Sequence, residues 1–284
     1  MEKHDFGGCF NLNIQMKIIT NADDFGYDED SVNATIECFN KGSITSATIM
    51  PNMPGTHSAL KFARMNPHFS FGVHLTFVSN GIEMPISDVL LIPRLVKKNG
   101  TFLGSNKLRM NAILGFLPVE QIEIEIAAQI ERVLDSGVNI SHIDSHGHIH
   151  KFNPFIQALV KILPKYGISR VRNVQNIYCN KRLLSPTGLI GPIWRRNIMN
   201  NFLTTNHFFM NTNFQNLNWV ESILDRKLCG TLEVGFHPGS ISHQEKWREY
   251  ESRACNYFFE LAMQKHIKFV GWKDIKKNIG SKLC

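Results

Sequence analysis

The sequence predicts an α/β protein on a mainly parallel sheet, open or closed into a barrel. Strand-like and helix-like patterns alternate through most of the 284 residues, and no internal repeat or linker divides them, so one large domain is expected. The residues best suited to catalysis also collect where strand-like segments end, which is where α/β folds place their sites.

The elements follow in order. Lys17 to Asn21 (KIITN) is β-branched and apolar, a buried first strand. Asp30 to Lys41 has helical spacing through Val32, Ile36 and Phe39, with Gly42 as its stop. Ile44 to Met50 gives a second strand, His57 to Met65 a helix, and Phe71 to Phe77 a third strand. Residues 78–117, with several Gly, Pro and Asn, read as a partly helical excursion. Val119 to Ser136 is the clearest amphipathic helix, with Ile122, Ile126, Ile130 and Val133 on one face and Gly137 at its end. A fourth strand closes on the cluster His142-Ile143-Asp144-Ser145-His146-Gly147-His148-Ile149-His150. Asn153-Pro154 then reads as cap and first position of a helix reaching Tyr166, with Gly167 after it. Ile168 to Val174 is the next strand. Residues 177–218 break the rhythm, as a capping insertion or a pair of loosely patterned helices. Leu232 to His237 is a strand, Glu245 to Gln264 a helix, and Ile267 to Trp272 a last strand.

Composition narrows the function classes. Hydrophobic content is 43%, ordinary for a globular protein. The formal charge of +7 is scattered in short pairs without a nucleic-acid module, so the basic residues read as a solvated surface and no nucleic-acid partner is expected. No apolar run approaches the ~20 residues of a membrane span. Residues 1–15 carry Glu2, Asp5 and Gly7-Gly8 where a secretory signal would be apolar, and read as an N-terminal extension to a domain spanning 16–284. Six cysteines without a Cys-x-x-Cys pair suit reduced thiols in a cytoplasmic protein.

The histidine cluster concentrates the chemistry. On an extended strand His142, Asp144 and His146 share a face, and imidazole with carboxylate suits a divalent cation such as zinc. Three further strand ends carry polar groups: Asn21-Ala22-Asp23-Asp24-Phe25-Gly26, Gly72-Val73-His74-Leu75, and Glu233-Val234-Gly235-Phe236-His237-Pro238-Gly239. Adjacent acids on a regular strand face opposite sides. They reach one cleft only where the strand gives way to a turn, which Phe25-Gly26 permits; the alternative is an Asp-Asp turn capping the next helix. His74 alone is more often a core residue than a ligand, and His237 alone could be a turn residue. Four strand ends bearing such groups point to one shared site.

The chain resembles the YdjC family of carbohydrate deacetylases, also described as the ChbG or chitooligosaccharide deacetylase family. The resemblance rests on Asn-Ala-Asp-Asp-Phe-Gly at 21–26, Gly-Val-His-Leu at 72–75, His-Ile-Asp-Ser-His-Gly-His-Ile-His at 142–150 and His-Pro-Gly at 237–239. They occur in the family's order and span most of the domain. The resemblance implies a distorted (β/α)7 TIM-like barrel with one divalent metal, zinc or magnesium, at the strand ends. It implies Asp24, His74 and His146 as metal ligands, Asp23 as general base and His237 as general acid. Asp144 would orient a ligand imidazole, His148 and His150 would serve second-shell or substrate contacts or replace His146, and Arg172 would orient a carboxylate, grip substrate or make a surface ion pair. Gly147, where relatives often carry a bulkier residue, would widen the pocket. The implied reaction is removal of an acetyl group from an N-acetylated sugar by a homodimer. Rival readings are a metal-dependent phosphoesterase and a non-catalytic carbohydrate-binding protein on the same scaffold.

Overall fold

The computed structural model describes residues 16–179, 186–214 and 216–276. The expected N-terminal extension at 1–15 lies outside them. Seven parallel strands form the sheet: β1 (Lys17–Phe25), β2 (Ser46–Ile49), β3 (Ser70–Leu75), β4 (Ile140–Ser145), β5 (His207–Met210), β6 (Thr231–Phe236) and β7 (Lys268–Phe269). Their order is β4-β3-β2-β1-β6-β5, with β7 paired to the first two residues of β1. Every pairing between these strands is parallel, so their C-terminal ends share one rim. The sheet curls into a half-barrel whose closure is irregular. Beyond β4, Val171 makes a single bridge to Ile143 and Arg170 one to Leu203, and the backbone of Asn176 donates to Phe208 O across the gap to β5.

Helices α1 (Glu29–Asn40), α2 (Thr56–Met65), α3 (Ser105–Ile113), α4 (Val119–Asp135), α5 (Asn153–Ile162), α6 (Pro186–Asn201), α7 (Asn218–Leu224) and α8 (Trp247–Gln264) complete the domain. Amphipathic spacing explains the clearest of them. In α4, Ile122, Ile126, Ile130 and Val133 are fully buried, and each contributes roughly 1.5–3 kcal/mol of transfer free energy. The N-terminus of α1 is capped by Asp28, whose Oδ1 accepts from Ser31 N at 2.8 Å. The Asn153 cap is not made: Phe152 occupies that position and Asn153 is already helical, while Pro154 stands in the first turn as expected.

Two expected strands are much shorter. Ile168 to Val174 shrinks to bridges at Arg170 and Val171, and the last strand is only Lys268–Phe269. The sixth sheet position is filled instead from within 177–218, because His207–Met210 pairs along β6. That stretch therefore supplies a structural strand as well as α6. Among the described residues, no helix is long and apolar enough to cross a membrane.

Candidate metal centre and active site

Asp23 reaches the cleft wall and Asp24 the two imidazoles that line it because β1 is broken between them and their neighbours. The register against β2 shifts between Ala22 and Phe25, and Asp24 takes φ +57°, a left-handed conformation uncommon outside glycine. The turn that lets both acids point one way thus lies at Asp24 itself, one residue before Phe25-Gly26.

Asp24 Oδ1 lies 3.1 Å from His74 Nε2 and 3.0 Å from His146 Nδ1. These donor atoms all fall within 4.8 Å of one another. Register explains the ring orientation of His74: it sits opposite Asp144 on β4, and its Nδ1 is 2.7 Å from Asp144 Oδ1. With Nδ1 committed to a carboxylate, Nε2 is left for the cleft, the usual arrangement behind a metal-binding imidazole. Thr48 Oγ1 donates to Asp144 Oδ2 at 3.0 Å and holds that carboxylate from β2. One carboxylate oxygen and two imidazole nitrogens suit a divalent cation and leave positions for water and substrate.

Of the four clustered histidines, His146 alone joins this set. His142 is buried one layer down in the half-barrel and stacks on Trp272 at 4.5 Å. His148 turns away at φ +54° toward Phe208, and His150 lies 2.7 Å from Ser145 Oγ through Nδ1. Burial pushes all three of these imidazoles well below the usual histidine range, so they are neutral at pH 7.

Arg172 is fully buried and is no surface ion pair. Its Nη1 and Nη2 donate to Asp23 Oδ2 and Oδ1 at 2.5 and 2.7 Å, Nη1 also meets Asp144 Oδ2, and Nε reaches Glu233 Oε1 at 2.9 Å. Phe208 lies under the guanidinium at 4.8 Å. Burial alone would raise the Asp23 carboxyl, but the adjacent guanidinium holds it well below the usual carboxylate range. Asn21 Nδ2 also donates to Asp23 Oδ1 at 2.8 Å. A second group of metal-type residues, Asp23, His74 and Asp144, exists. Its two carboxylates already close around Arg172, which fills the place a second cation would need.

His237 follows β6 and keeps a small exposed edge on the cleft. Its backbone N–H donates to Glu251 Oε2 at 3.2 Å, and its Nδ1 lies 3.5 Å from the same oxygen. Burial opposes its protonation, but the neighbouring Glu251 carboxylate and the Asp24 and Asp23 charges raise its pKa above the ordinary value. Asp23, His74, His146 and His237 all line one cleft of about 260 Å³, whose far wall includes Arg109 from α3. Arg109 Nη2 donates to Gly147 O at 2.9 Å, and a Cβ at Gly147 would lie 3.2 Å from that nitrogen. Gly147 itself lines the cleft, and a side chain there would crowd Arg109.

Sequence reasoning did not find Arg248 or Glu251. Both belong to α8, on the stripe shared by Cys255, Phe258 and Ala262, and both are buried. Charged residues on an otherwise apolar helical stripe were the available signal. Arg248 Nη2 donates to Asp24 Oδ2 at 2.7 Å and its guanidinium lies over Tyr27 and Trp247. Glu233 was inside a quoted segment, yet nothing in its spacing foretold that it would share Arg172 with Asp23.

Residues 17–262 match the family model described as YdjC-like protein. A carbohydrate deacetylase of Clostridium beijerinckii is 27% identical over 275 residues, which cover 92% of this chain and 100% of that one. A carbohydrate deacetylase of Thermoanaerobacter pseudethanolicus is 30% identical over 227 residues, covering 80% of this chain and 82% of that protein. Among solved structures, a proposed cellobiose-phosphate cleavage protein of Enterococcus faecalis aligns with a TM-score of 0.74. The alignment covers 93% of this chain and 100% of that one at 22% identity, and it bears on the fold alone.

Proposed function

Because this chain belongs to the YdjC-like protein family, we propose that it is a metal-dependent carbohydrate deacetylase that hydrolyses the acetamide of an N-acetylated sugar. The observation that carries the reading is a three-residue donor set, two of whose members, His74 and His146, line one cleft with a separate carboxylate and a separate imidazole. Relatives over most of the chain are carbohydrate deacetylases, which favours the sugar amide over a phosphoester.

Asp24, His74 and His146 would hold the cation, and two imidazoles beside one carboxylate lean toward zinc or another transition ion over magnesium. A bound divalent ion supplies Lewis acidity toward the amide carbonyl and lowers the pKa of a bound water toward neutrality. Asp23, kept ionised by Arg172, accepts the proton of the attacking water. The fork of Arg172 fixes the plane of that carboxylate while weakening it as a base. His237, whose pKa is raised above the ordinary imidazole value, is placed to donate a proton to the departing nitrogen, which as an amide anion would be a very poor leaving group. Asp144 and Thr48 hold the His74 ring in place. Reduced cysteines support a cytoplasmic location, and Cys38 and Cys255 are free and buried.

Acetate release from a panel of N-acetylated sugars tests the reading, with the wild type beside Asp23→Asn. The wild type releases acetate; the variant keeps stoichiometric metal and loses about 100-fold or more in turnover. Metal loss in the variant, or turnover at the wild-type rate, would show that Asp23 is not the base.

A further inference from the structure

A second cavity of about 180 Å³ adjoins the metal cleft, and His148 lines both. It lies between the histidine cluster, residues 173–178, the end of β5 and α6, which contributes Trp194. The cavity is equipped for a ligand that the metal chemistry does not use. His150 is 1% exposed, its Nδ1 is satisfied by Ser145, and its Nε2 has no partner; His148 Nδ1 is also buried and unpartnered. A buried polar atom of this kind is costly to leave without a hydrogen-bond partner, so both nitrogens favour a polar ligand. Asn173 and Gln175 add amides, and Trp194 adds a flat aromatic wall.

Lys151 sets the chemistry of the ligand. Its Nζ lies 5.1 Å from the Trp194 ring and 5.8 Å from the Phe152 ring, and no carboxylate pairs with it among the described residues. Among the described residues, no acidic side chain lines the cavity. Burial and the nearby Arg109 charge push the ammonium down to about 8, the mark of a cation held without its anion. We infer that this cavity binds the sugar unit next to the one being deacetylated, and that this unit bears a carboxylate that pairs with Lys151. The ring faces Trp194, and its hydroxyls meet His150, His148 and the Asn173 and Gln175 amides. A carboxylate fits better than a phosphate monoester. Among the described residues the cavity offers one ammonium and no arginine fork, which matches the single charge of a carboxylate better than the nearly two charges of a monoester. The inference rests on the deacetylase reading for the sugar at the metal, but its own test is binding.

Calorimetric titration of the metal-loaded Asp23→Asn protein separates the two readings, since no turnover is needed. The ligands are a disaccharide of N-acetylglucosamine and a hexuronate, its neutral hexose counterpart, and the counterpart phosphorylated on the hexose. The uronate binds about 10- to 100-fold more tightly than the neutral sugar, as one charge-assisted hydrogen bond provides, and more tightly than the phosphate. Adding Lys151→Met, which keeps the stem over Trp194, brings the uronate-to-neutral ratio to about one, and Lys151→Arg retains a preference. Equal affinities in the Asp23→Asn protein, a tighter phosphate, a ratio unmoved by Lys151→Met, or no binding of any disaccharide overturns the inference. Failure of the deacetylase reading shows separately, as absence of acetate from every sugar given to the wild type.

Discussion

Arg248 Nη2 lies 2.7 Å from Asp24 Oδ2, the oxygen that His74 and His146 leave free. Asp24 is thus divided between a guanidinium on one oxygen and the donor set on the other. In the absence of a metal, Arg248 is the permanent cation that compensates this buried carboxylate, and His146 with Arg248 holds the carboxyl well below its usual range against the burial that would raise it.

That division has a thermodynamic consequence. Arg248→Met leaves Asp24 without its permanent cation, which should destabilise the metal-free protein by about 3–5 kcal/mol. A bound divalent ion compensates the same charge, so the loss in metal-loaded protein should be smaller. By linkage, the variant must then bind metal more tightly than the wild type. Urea unfolding with and without zinc measures both. Equal losses in the two states would mean that Arg248 and the metal do not share Asp24.

Asp144→Asn tests the support of His74 from behind. The amide keeps the shape but not the charge facing His74 Nδ1, 2.7 Å away. Partners of metal-binding imidazoles are typically worth 10- to 100-fold in affinity, and a loss of that size is expected in competition with a chromophoric chelator. Unchanged affinity would remove Asp144 from the metal support and leave it only as a partner of Arg172.

Much of this arrangement was legible in the sequence, and the remainder failed for identifiable reasons. Alternating strand and helix patterns located β1, β2, β3, β4 and β6 with their helices, because buried parallel strands and amphipathic helices leave strong periodic signals. The strand ends carrying Asp23, Asp24, His74, His146 and His237 were visible for the same reason. β5 was hidden because His207–Met210 is four residues long within an Asn-rich stretch, and its strand character comes from pairing with β6. Ile168 to Val174 had strand composition but only bridges for pairing, since the barrel closes irregularly there. The break at Asp24 depends on the register of β1 against β2, a tertiary fact. Arg172 illustrates the limit most clearly: its position at a strand end was readable, but its three carboxylate partners come from β1, β4 and β6.

Those partners make a prediction about pH and stability. Three buried carboxylates share one guanidinium, and burial pushes Glu233 up to about 7 although Arg172 opposes it. Its folded pKa lies above the unfolded value, so the contribution of its proton is fully present below about pH 4.5 and is lost as pH rises through about 7. Glu233→Gln fixes the neutral form. Relative to this variant, the wild type should lose on the order of 3 kcal/mol between those limits. Parallel stability curves for the two proteins across that interval would show that Glu233 is ionised throughout.

The last prediction concerns His237, where the sign runs through activity. As general acid it must enter the cycle protonated, so kcat/KM should fall as pH rises through its pKa. That pKa is raised against the cost of burial by Glu251, Asp24 and Asp23, and Glu251 is the one member outside the donor set and the proposed base. Glu251→Gln keeps an acceptor near the His237 backbone N–H, 3.2 Å from Oε2 in the wild type, but removes the negative charge. The imidazolium is then less favoured, and the alkaline limb of the kcat/KM profile should move to lower pH. The plateau at lower pH, where His237 is protonated in both proteins, should change much less. The opposite assignment, with His237 as the base, gives a different signature. Activity would then require the neutral imidazole, kcat/KM would rise with pH through this pKa, and Glu251→Gln would move the acidic limb to lower pH instead. Profiles of the two proteins, measured with one N-acetylated substrate at saturating metal, decide between the roles by which limb moves.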